Sequence, residues 1–477
     1  MFEIKDKPVL FTDDRIVDTE KTDAVKRFEK PVKREVAFRH DAPWEASDTV
    51  YHNIVKLPGG GYRMYYKSHY NGLKTDGSFA MIRRICFIES DDGITWRRPV
   101  ADVIEIPESK TNNIISFEGY YFDNLFVFYD NNPACPENER FKALYGEWNN
   151  GLYGYTSEDG IHFDFNNYID LGRSPETGCY YDTLNVAFYD GNIGKYVAFV
   201  RGFHVGDDTY PPDPDVPEAV RDIRRTESED FRTWTKPELV KYDDEYDYQL
   251  YASAVQRYYR NGDYYISTPT RYIARGDWSD GFEQLCGAEA RRERGRGQSL
   301  NDTIFMSSAD TGKSWTRHSE AIFTSGPERE NGWVYGDCYP CVGMIETPAL
   351  TPDSDPEISM FMKEHAKDGV SVLYRYTLRI DGFDSYFGDY AGKKLVTKPF
   401  KFEGEKLVIN FATSAQGGAS FVIRDGEGNV AKSCEYFGDK IDRRVSFDRP
   451  LSDFAGKEVV LEASLRDASL YSFSFCR

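Results

Sequence analysis

The phrase SSADTGKSW at residues 307–315 constrains this chain most, because three near-copies precede it. They read SDDGITW (90–96), SEDGIHF (157–163) and SEDFRTW (228–234). Each joins a Ser to an acidic turn and closes on an aromatic ring. The closing rings, Trp96, Phe163, Trp234 and Trp315, fall 67, 71 and 81 residues apart. A long, near-regular period marks a repeat architecture. Each period holds short strand-like runs, as in TLNVAFYD (183–190), KYVAFVRG (195–202) and IRRTES (223–228). Four short strands per unit describe a propeller blade. The phrase then reads as a hairpin between the last two strands of a blade. Ser and Asp side chains bond back to the backbone, and Gly takes the left-handed position. The aromatic plugs the gap to the next blade. Turn chemistry accounts for every residue of the phrase, so it is punctuation and not a site.

A further period follows in WVYGDCYPCVGMIETP (333–348), EISMFMKEH (357–365) and SVLYRYTLRIDGF (371–383), without the phrase. The expectation is an all-β protein: a five-bladed β-propeller over 34–383 and a β-sandwich over 384–477. Residues 1–33 form an extension packing on the propeller. The tail alternates apolar and polar residues between the turn signals GG, GEG and FAGK, as a sandwich does. The 34 Tyr and 32 Phe agree, since both favour strands. A chain of 477 residues is also too long for one ordinary core.

The formal net charge is −20 and no basic stripe persists, which argues against a nucleic-acid partner. Arg291, Arg292, Arg294 and Arg296 cluster in a Gly-rich loop and read as a solvated excursion. No apolar run has the length of a signal peptide or a membrane span, so the expectation is a cytoplasmic protein with no membrane partner. Cys338 and Cys341 form a CxxC without a second pair, and the seven histidines lack metal spacing. No metal or cofactor is expected, and the thiols read as buried. LPGGGYR (57–63) is a hairpin turn, and no GxSxG elbow is present.

A propeller gathers the first strand of each blade around a central channel, so the residues at those strand starts are the candidates. They are His40, Asp41, Trp44 and Glu45; Asn112, Asn113 and Asp123; Tyr181, Asp182 and Asn185; Glu245, Asp247, Gln249 and Tyr251; and Tyr335, Asp337 and Glu346. Aromatic faces stack on sugar rings, while amides and acids bond hydroxyls. Glycoside hydrolysis needs two carboxyl groups. Crowding carboxylates raises the pKa of at least one and supplies a proton donor. Arg201 and Arg271, at inner-strand ends, suit a carboxylate, a sugar hydroxyl or an ion pair that holds pocket acids.

Phrases spread nearly end to end carry a resemblance: LFTDDRIV (10–17), DAPWE (41–45), YDTLNVAFYD (181–190), QLYASAV (249–255), STPTRY (267–272), WVYGDCYP (333–340), IETP (345–348), and the tail pieces TKPFKFEG, LVINFATSA, GDKIDRRV and LRDASLYSFSF. The chain resembles the five-bladed propeller glycoside hydrolases, which include the fructofuranosidases of glycoside hydrolase family 32 and the arabinanases. It looks most like bacterial family-32-like hydrolases. The resemblance implies a glycosidase acting on an oligosaccharide, with a sandwich bracing the propeller. It implies Asp41 as nucleophile, in HDAPWE where the family has a WMNDPNG-like phrase, with Glu45 as competitor. It implies Asp182 as the transition-state carboxylate, in YDT where the family has RDP. The family's EC phrase for the acid is absent, which leaves Asp247, Glu245 or Glu346. Substrate contacts fall to Trp44, Glu45, Asn113, Gln249, Arg271 and Asp337. Three other readings stay open. They are a sugar-binding propeller without turnover, a sialidase-like enzyme needing an arginine triad, and a phosphorylase needing basic residues for phosphate.

Overall fold

Alternation at a two-residue period governs the last strand, whereas strands of the preceding sheets such as Phe141–Gly146 and Lys195–His204 are buried on both faces. In Val459–Cys476, an 18-residue strand, nearly every second side chain is buried. The computed structural model describes residues 2–45, 49–73, 79–106, 109–116, 124–147, 151–173, 179–208, 218–289, 298–329, 332–364 and 370–477. Among these residues α-helix is confined to the four-residue turn Asp280–Glu283 and to residues 288–289, beside two short 3-10 turns. The protein is nearly all β.

Antiparallel sheets follow one another along the chain. Val50–Lys56, Tyr62–Leu73 and Phe79–Ser90 make the first, extended by a bridge from Glu89 to Arg97. Phe126–Tyr129, Phe141–Gly146, Gly151–Ser157 and Ile169–Arg173 make the next. Val186–Asp190, Lys195–His204, Val220–Ser228 and Glu238–Leu239 then pair in the same manner. Between residues 249 and 317 the inner strands bend, so the pairing splits into two adjoining sheets. Ile345–Thr347, Glu357–Glu364 and Ser371–Arg379 take their outer strand from the N-terminal segment Val32–His40.

Side chains stitch each sheet to the next. Asn53 Nδ2 donates to the Val127 carbonyl at 2.6 Å. The Tyr196 hydroxyl donates to Asp130 at 2.7 Å, and Tyr265 donates to Asp190. Thr303 Oγ1 donates to the Cys338 carbonyl at 2.8 Å. A parallel bridge joins Asn53 to Val342, so the last of these sheets touches the first.

The repeated phrase forms the hairpins at the outer edges. In all four copies the Ser hydroxyl donates to the Asp carboxylate: Ser90 to Asp92 at 3.0 Å, Ser157 to Asp159 at 3.1 Å, Ser228 to Asp230 at 3.1 Å and Ser308 to Asp310 at 2.7 Å. Each Asp then accepts two backbone N–H groups further on, as in Ile94 and Thr95 onto Asp92. Burial works to raise the Asp92 carboxyl, but these donors outweigh it and hold its pKa below the ordinary value. Two of the closing rings plug between sheets as expected: Trp315 packs edge-on against Phe199 at 5.8 Å and Trp96 against Phe361 at 5.6 Å, whereas Trp234 packs on Phe231 of its own turn. In the copy without Gly, Phe231 itself takes the left-handed backbone, at φ 65°. Its ring is fully buried against Phe128 and Tyr196, which offsets the strain.

The turn glycines are jammed against neighbouring rings. A Cβ on Gly312, at φ +81°, would lie 2.3 Å from Phe199 Cζ. Gly312→Ala is therefore expected to cost ~2–5 kcal/mol, from about 1–2 for the left-handed backbone and about 1–3 for overpacking. Gly191→Ala, where a Cβ meets nothing within 4 Å, serves as the control. Urea unfolding of both variants checks this, and equal midpoints would contradict it.

The C-terminal strands form a separate ten-stranded sheet built on Lys406–Asp425 and Val459–Cys476. Its core holds Phe400, Phe411, Phe421, Phe454, Phe473 and Phe475. Residues 2–33 divide their allegiance. Phe2–Ile4, Val9–Leu10 and Val25–Phe28 pair into this C-terminal sheet, and the chain then enters the strand Val32–His40. The N-terminal extension thus shares the tail's core as well as touching the sheets before it.

Candidate functional site

Inner-strand starts from several sheets meet in a cluster of phenols and guanidinium groups. Tyr251, on the strand Gln249–Ala252, is its centre. Its hydroxyl and that of Tyr335 lie 2.9 Å apart. Tyr339 meets Tyr251 edge-on at 5.7 Å and Tyr51 edge-on at 6.0 Å. Tyr272 faces Tyr335 at 6.0 Å. Burial, then the neighbouring phenols, push the Tyr339 hydroxyl well above its ordinary pKa, so it remains a proton-bearing donor. Two arginines from one β-hairpin reach this group. The Arg201 guanidinium lies 5.2 Å from the Tyr251 centroid, and that of Arg221 lies 5.5 Å from the same ring and 4.8 Å from Tyr272. Lys67 approaches Tyr51 at 5.4 Å.

Asp182 sits at this cluster. Its carboxylate lies 3.8 Å from Arg201 Nη2, and its side chain keeps 41 % of its exposure. Arg201 is fixed from behind: its Nε donates to the Tyr180 carbonyl at 3.0 Å, and its own N–H donates to Asn185 Oδ1 at 3.1 Å. The Asn185 amide in turn caps the carbonyls of Tyr181 and Thr183 at 2.7 and 3.0 Å. Thr183 Oγ1 donates to the Tyr251 carbonyl at 3.0 Å, which ties the Asp182 loop to the Tyr251 strand. Gln249 joins through its Oε1, which accepts from Arg221 Nη1 at 2.5 Å.

Asp247 is held by a relay that the sequence did not announce. His204 Nε2 lies 3.0 Å from Asp247 Oδ1, and His204 Nδ1 lies 3.1 Å from Asp222 Oδ2. Arg224 clamps Asp222 with Nε at 2.9 Å and Nη2 at 3.0 Å. Asp222 and Arg224 are buried, whereas Asp247 keeps 58 % of its side-chain exposure. The hydrogen bond to Asp222 raises the His204 pKa, and the charges of Asp222 and Asp247 add to it against partial burial. Gly202 makes the relay possible. A Cβ there would lie 1.9 Å from Arg224 Nε, so the guanidinium passes where any other residue would block it.

The remaining candidates lie in other settings. Trp44, Glu45 and Asn113 form a closed buried network. Trp44 Nε1 donates to Asn113 Oδ1 at 2.8 Å, and Asn113 Nδ2 donates to the Tyr66 hydroxyl at 2.8 Å. Tyr66 donates to Glu45, which also accepts Arg98 Nη2 at 2.7 Å. With their polar atoms bound internally, the three brace the 41–45 loop. Asp41 is exposed and pairs with Arg98 at 2.8 Å. Arg271 is spent on Asp302, with Nε and Nη2 at 2.9 and 2.7 Å. Asp337 is buried, accepts the Trp333 N–H at 2.7 Å and pairs with Arg329 at 3.2 Å. Burial raises its pKa against the pull of Arg329 and Lys363.

Glu346 is not brought to the cluster. Its inner strand already pairs at Pro340, bridged to Met362, and Glu346 lies exposed six residues later, beside Tyr62. On the unbroken partner strand the pairing moves from Met362 to Ile358, four residues, so at ~3.3 Å per residue Glu346 lies roughly 13 Å further along. Asp123 and Arg291, Arg292, Arg294 and Arg296 lie outside the described residues. Cys338 and Cys341 are buried free thiols, as expected. No group of three metal-ligating side chains gathers among the described residues. No helix among them is long and apolar enough to cross a membrane.

No family model and no curated protein matches the chain. Solved structures with a similar course of strands include an N-acetylgalactosamine deacetylase from F. plautii in complex with blood group B trisaccharide. It is 11 % identical over 74 % of this chain and 96 % of that one, with a TM-score of 0.44. A glycosyl hydrolase from Bacteroides ovatus is 12 % identical over 76 % and 96 %, with a TM-score of 0.38. A glycoside hydrolase family 43 arabinoxylan arabinofuranohydrolase from Bacillus subtilis, in complex with cellotetraose, is 10 % identical over 91 % and 96 %, with a TM-score of 0.27. Likenesses this weak carry no argument about chemistry, which rests on the site itself.

Proposed function

We propose that the chain is a glycan-acting hydrolase, a five-bladed propeller of the family-32-like kind braced by a C-terminal β-sandwich. The observation that carries this is the exposed Asp182 carboxylate, set against Arg201 at the edge of the Tyr251, Tyr272, Tyr335 and Tyr339 cluster. Phenol rings give a sugar its stacking faces, and carboxylate, amide and guanidinium groups bond its hydroxyls. Asp182 and Asp247 are the two carboxyl groups that glycoside hydrolysis requires. Asp41 is engaged with Arg98 and Glu346 lies at the far end of its strand, so neither is assigned a step.

In this reading the proton starts on His204 Nε2 and reaches the glycosidic oxygen through Asp247. The C–O bond to the leaving sugar breaks as that oxygen takes the proton. Asp182 serves the anomeric carbon, either directly or by drawing a proton from the water that adds there. Asp222, itself held by Arg224, fixes the imidazole and favours its charged form. Because the His204 pKa is raised above 6.5, the proton-bearing form persists above that pH and is lost as pH rises through the shifted value. Turnover is therefore expected to fall on the alkaline side. In His204→Gln this alkaline limb is expected to disappear, with a rate loss of about 10–100-fold at neutral pH. A pH–rate profile of both proteins on a cleaved glycoside checks this. An unchanged alkaline limb in His204→Gln would remove the relay from the mechanism.

A further inference from the structure

Arg221 has a different electrostatic setting from Arg201, Arg224, Arg271 and Arg329. Arg271 answers Asp302, Arg329 answers Asp337, Arg224 answers Asp222, and Arg201 faces Asp182. Arg221 meets no carboxylate among the described residues. Its Nη1 donates to the neutral Gln249 amide at 2.5 Å, and its Nε is buried without an acceptor. Three rings surround its guanidinium: Phe203 at 5.5 Å, Tyr251 at 5.5 Å and Tyr272 at 4.8 Å. Ring faces stabilise a cation but leave its in-plane donors unused. A half-buried charge with an orphaned donor is costly until an anion supplies the missing acceptor.

Resting on the glycan-hydrolase reading, we propose that Arg221 binds the carboxylate of an acidic sugar, so that the substrate is a uronate-bearing glycan. The planar guanidinium matches a carboxylate with two parallel hydrogen bonds. Tyr251 and Tyr272, which already flank it, lie where the ring of that same sugar would stack. Gln249, freed from Arg221 Nη1 or sharing it, offers its amide to a neighbouring hydroxyl. The Asp182 carboxylate beside Arg201 favours a monoanion over a phosphate dianion, which it would repel more strongly. The site therefore selects a sugar acid over inorganic phosphate.

The test is calorimetric binding of matched pairs: di- and trigalacturonate against their carboxyl-reduced counterparts, the same pair for glucuronate-bearing disaccharides, and inorganic phosphate alone. The parent protein is expected to bind one acidic member at least tenfold more tightly than its reduced partner. In Arg221→Gln that ratio is expected to collapse toward one, with the melting temperature within a few degrees of the parent. Arg221→Lys, which keeps charge without the fork, is expected to retain only part of it. Equal binding of acidic and reduced members overturns this inference and leaves the hydrolase reading intact. So does a ratio that survives in Arg221→Gln. Saturable binding of phosphate that competes with the glycans also overturns it, in favour of phosphorolysis. Absence of binding by every glycan of both kinds overturns the inference together with the reading on which it rests.

Discussion

Asp182→Asn is expected to lose about three orders of magnitude in turnover while its melting temperature stays within a few degrees of the parent. The substitution keeps shape and removes one charge. Asp182 is a safe place to remove it, because the carboxylate is 41 % exposed and its ion pair with Arg201 is long, at 3.8 Å. Such a pair contributes little to stability. Arg201 keeps its bond to the Tyr180 carbonyl and its stacking on Tyr251, so the cluster keeps its shape. What disappears is the charge at the anomeric carbon, and with it the stabilisation of an oxocarbenium-like transition state. Parallel measurement of kcat and of thermal unfolding separates the two effects. Turnover within tenfold of the parent would remove Asp182 from the chemistry.

The second large effect is on stability in acid. His40 and His52 are buried with their Nε2 atoms 3.0 Å apart, so one donates, the other accepts, and both are neutral. Burial drives the His52 pKa down to about 3, with Lys363 adding. Burial, His52, Arg98 and Lys363 drive His40 in the same direction. In the unfolded chain both imidazoles take up protons near pH 6.5. Between that value and the depressed native values the unfolded state binds more protons, so stability falls as pH falls. For His52 alone the loss between pH 7 and pH 5 is roughly 2 kcal/mol, and His40 adds to it. His52→Gln keeps a neutral hydrogen-bonding group and is expected to abolish its share of that loss. Urea unfolding at pH 7 and pH 5 checks it as a difference within each protein, whatever the variant costs at neutral pH. An identical acid loss in parent and variant would contradict the account.

The parts of this architecture that sequence revealed are those written locally. A Ser–Asp turn closes on its own backbone within a few residues, so four copies of the phrase located four hairpins and their period. Asp182 and Asp247 precede the strands Val186–Asp190 and Gln249–Ala252, and Gln249 opens the second, which is the placement that the strand-start rule expects; their roles remain as proposed. The same rule misplaced Glu346. Its apolar run, VGMIETP, continues a strand that has already paired at Pro340. Trp44, Glu45 and Asn113 are near a strand start as well, but nothing local shows that Tyr66 and Arg98 will consume their polar atoms.

His204, Asp222 and Arg221 were missed for another reason. Their partners come from segments 18 to 43 residues away, and the alternation of β-strands alone does not say which faces will meet. One signal was present. Gly202 interrupts the strand KYVAFVRGFH, and a strand glycine marks a close approach, here by Arg224. The tyrosine cluster had no such mark. With 34 tyrosines in the chain, Tyr272 and Tyr339 look like any others until the fold brings them to Tyr251.

The central claim is hydrolysis of a glycan at the Asp182 site. Incubating the protein with a panel of acidic and neutral oligosaccharides in water enriched in oxygen-18, followed by mass spectrometry of the products, tests it most directly. The account predicts that one family of substrates yields a new reducing end carrying a single heavy oxygen, and that Asp182→Asn yields none. A panel left uncut by the parent, or cut only with phosphate present and without heavy oxygen in the product, would contradict it.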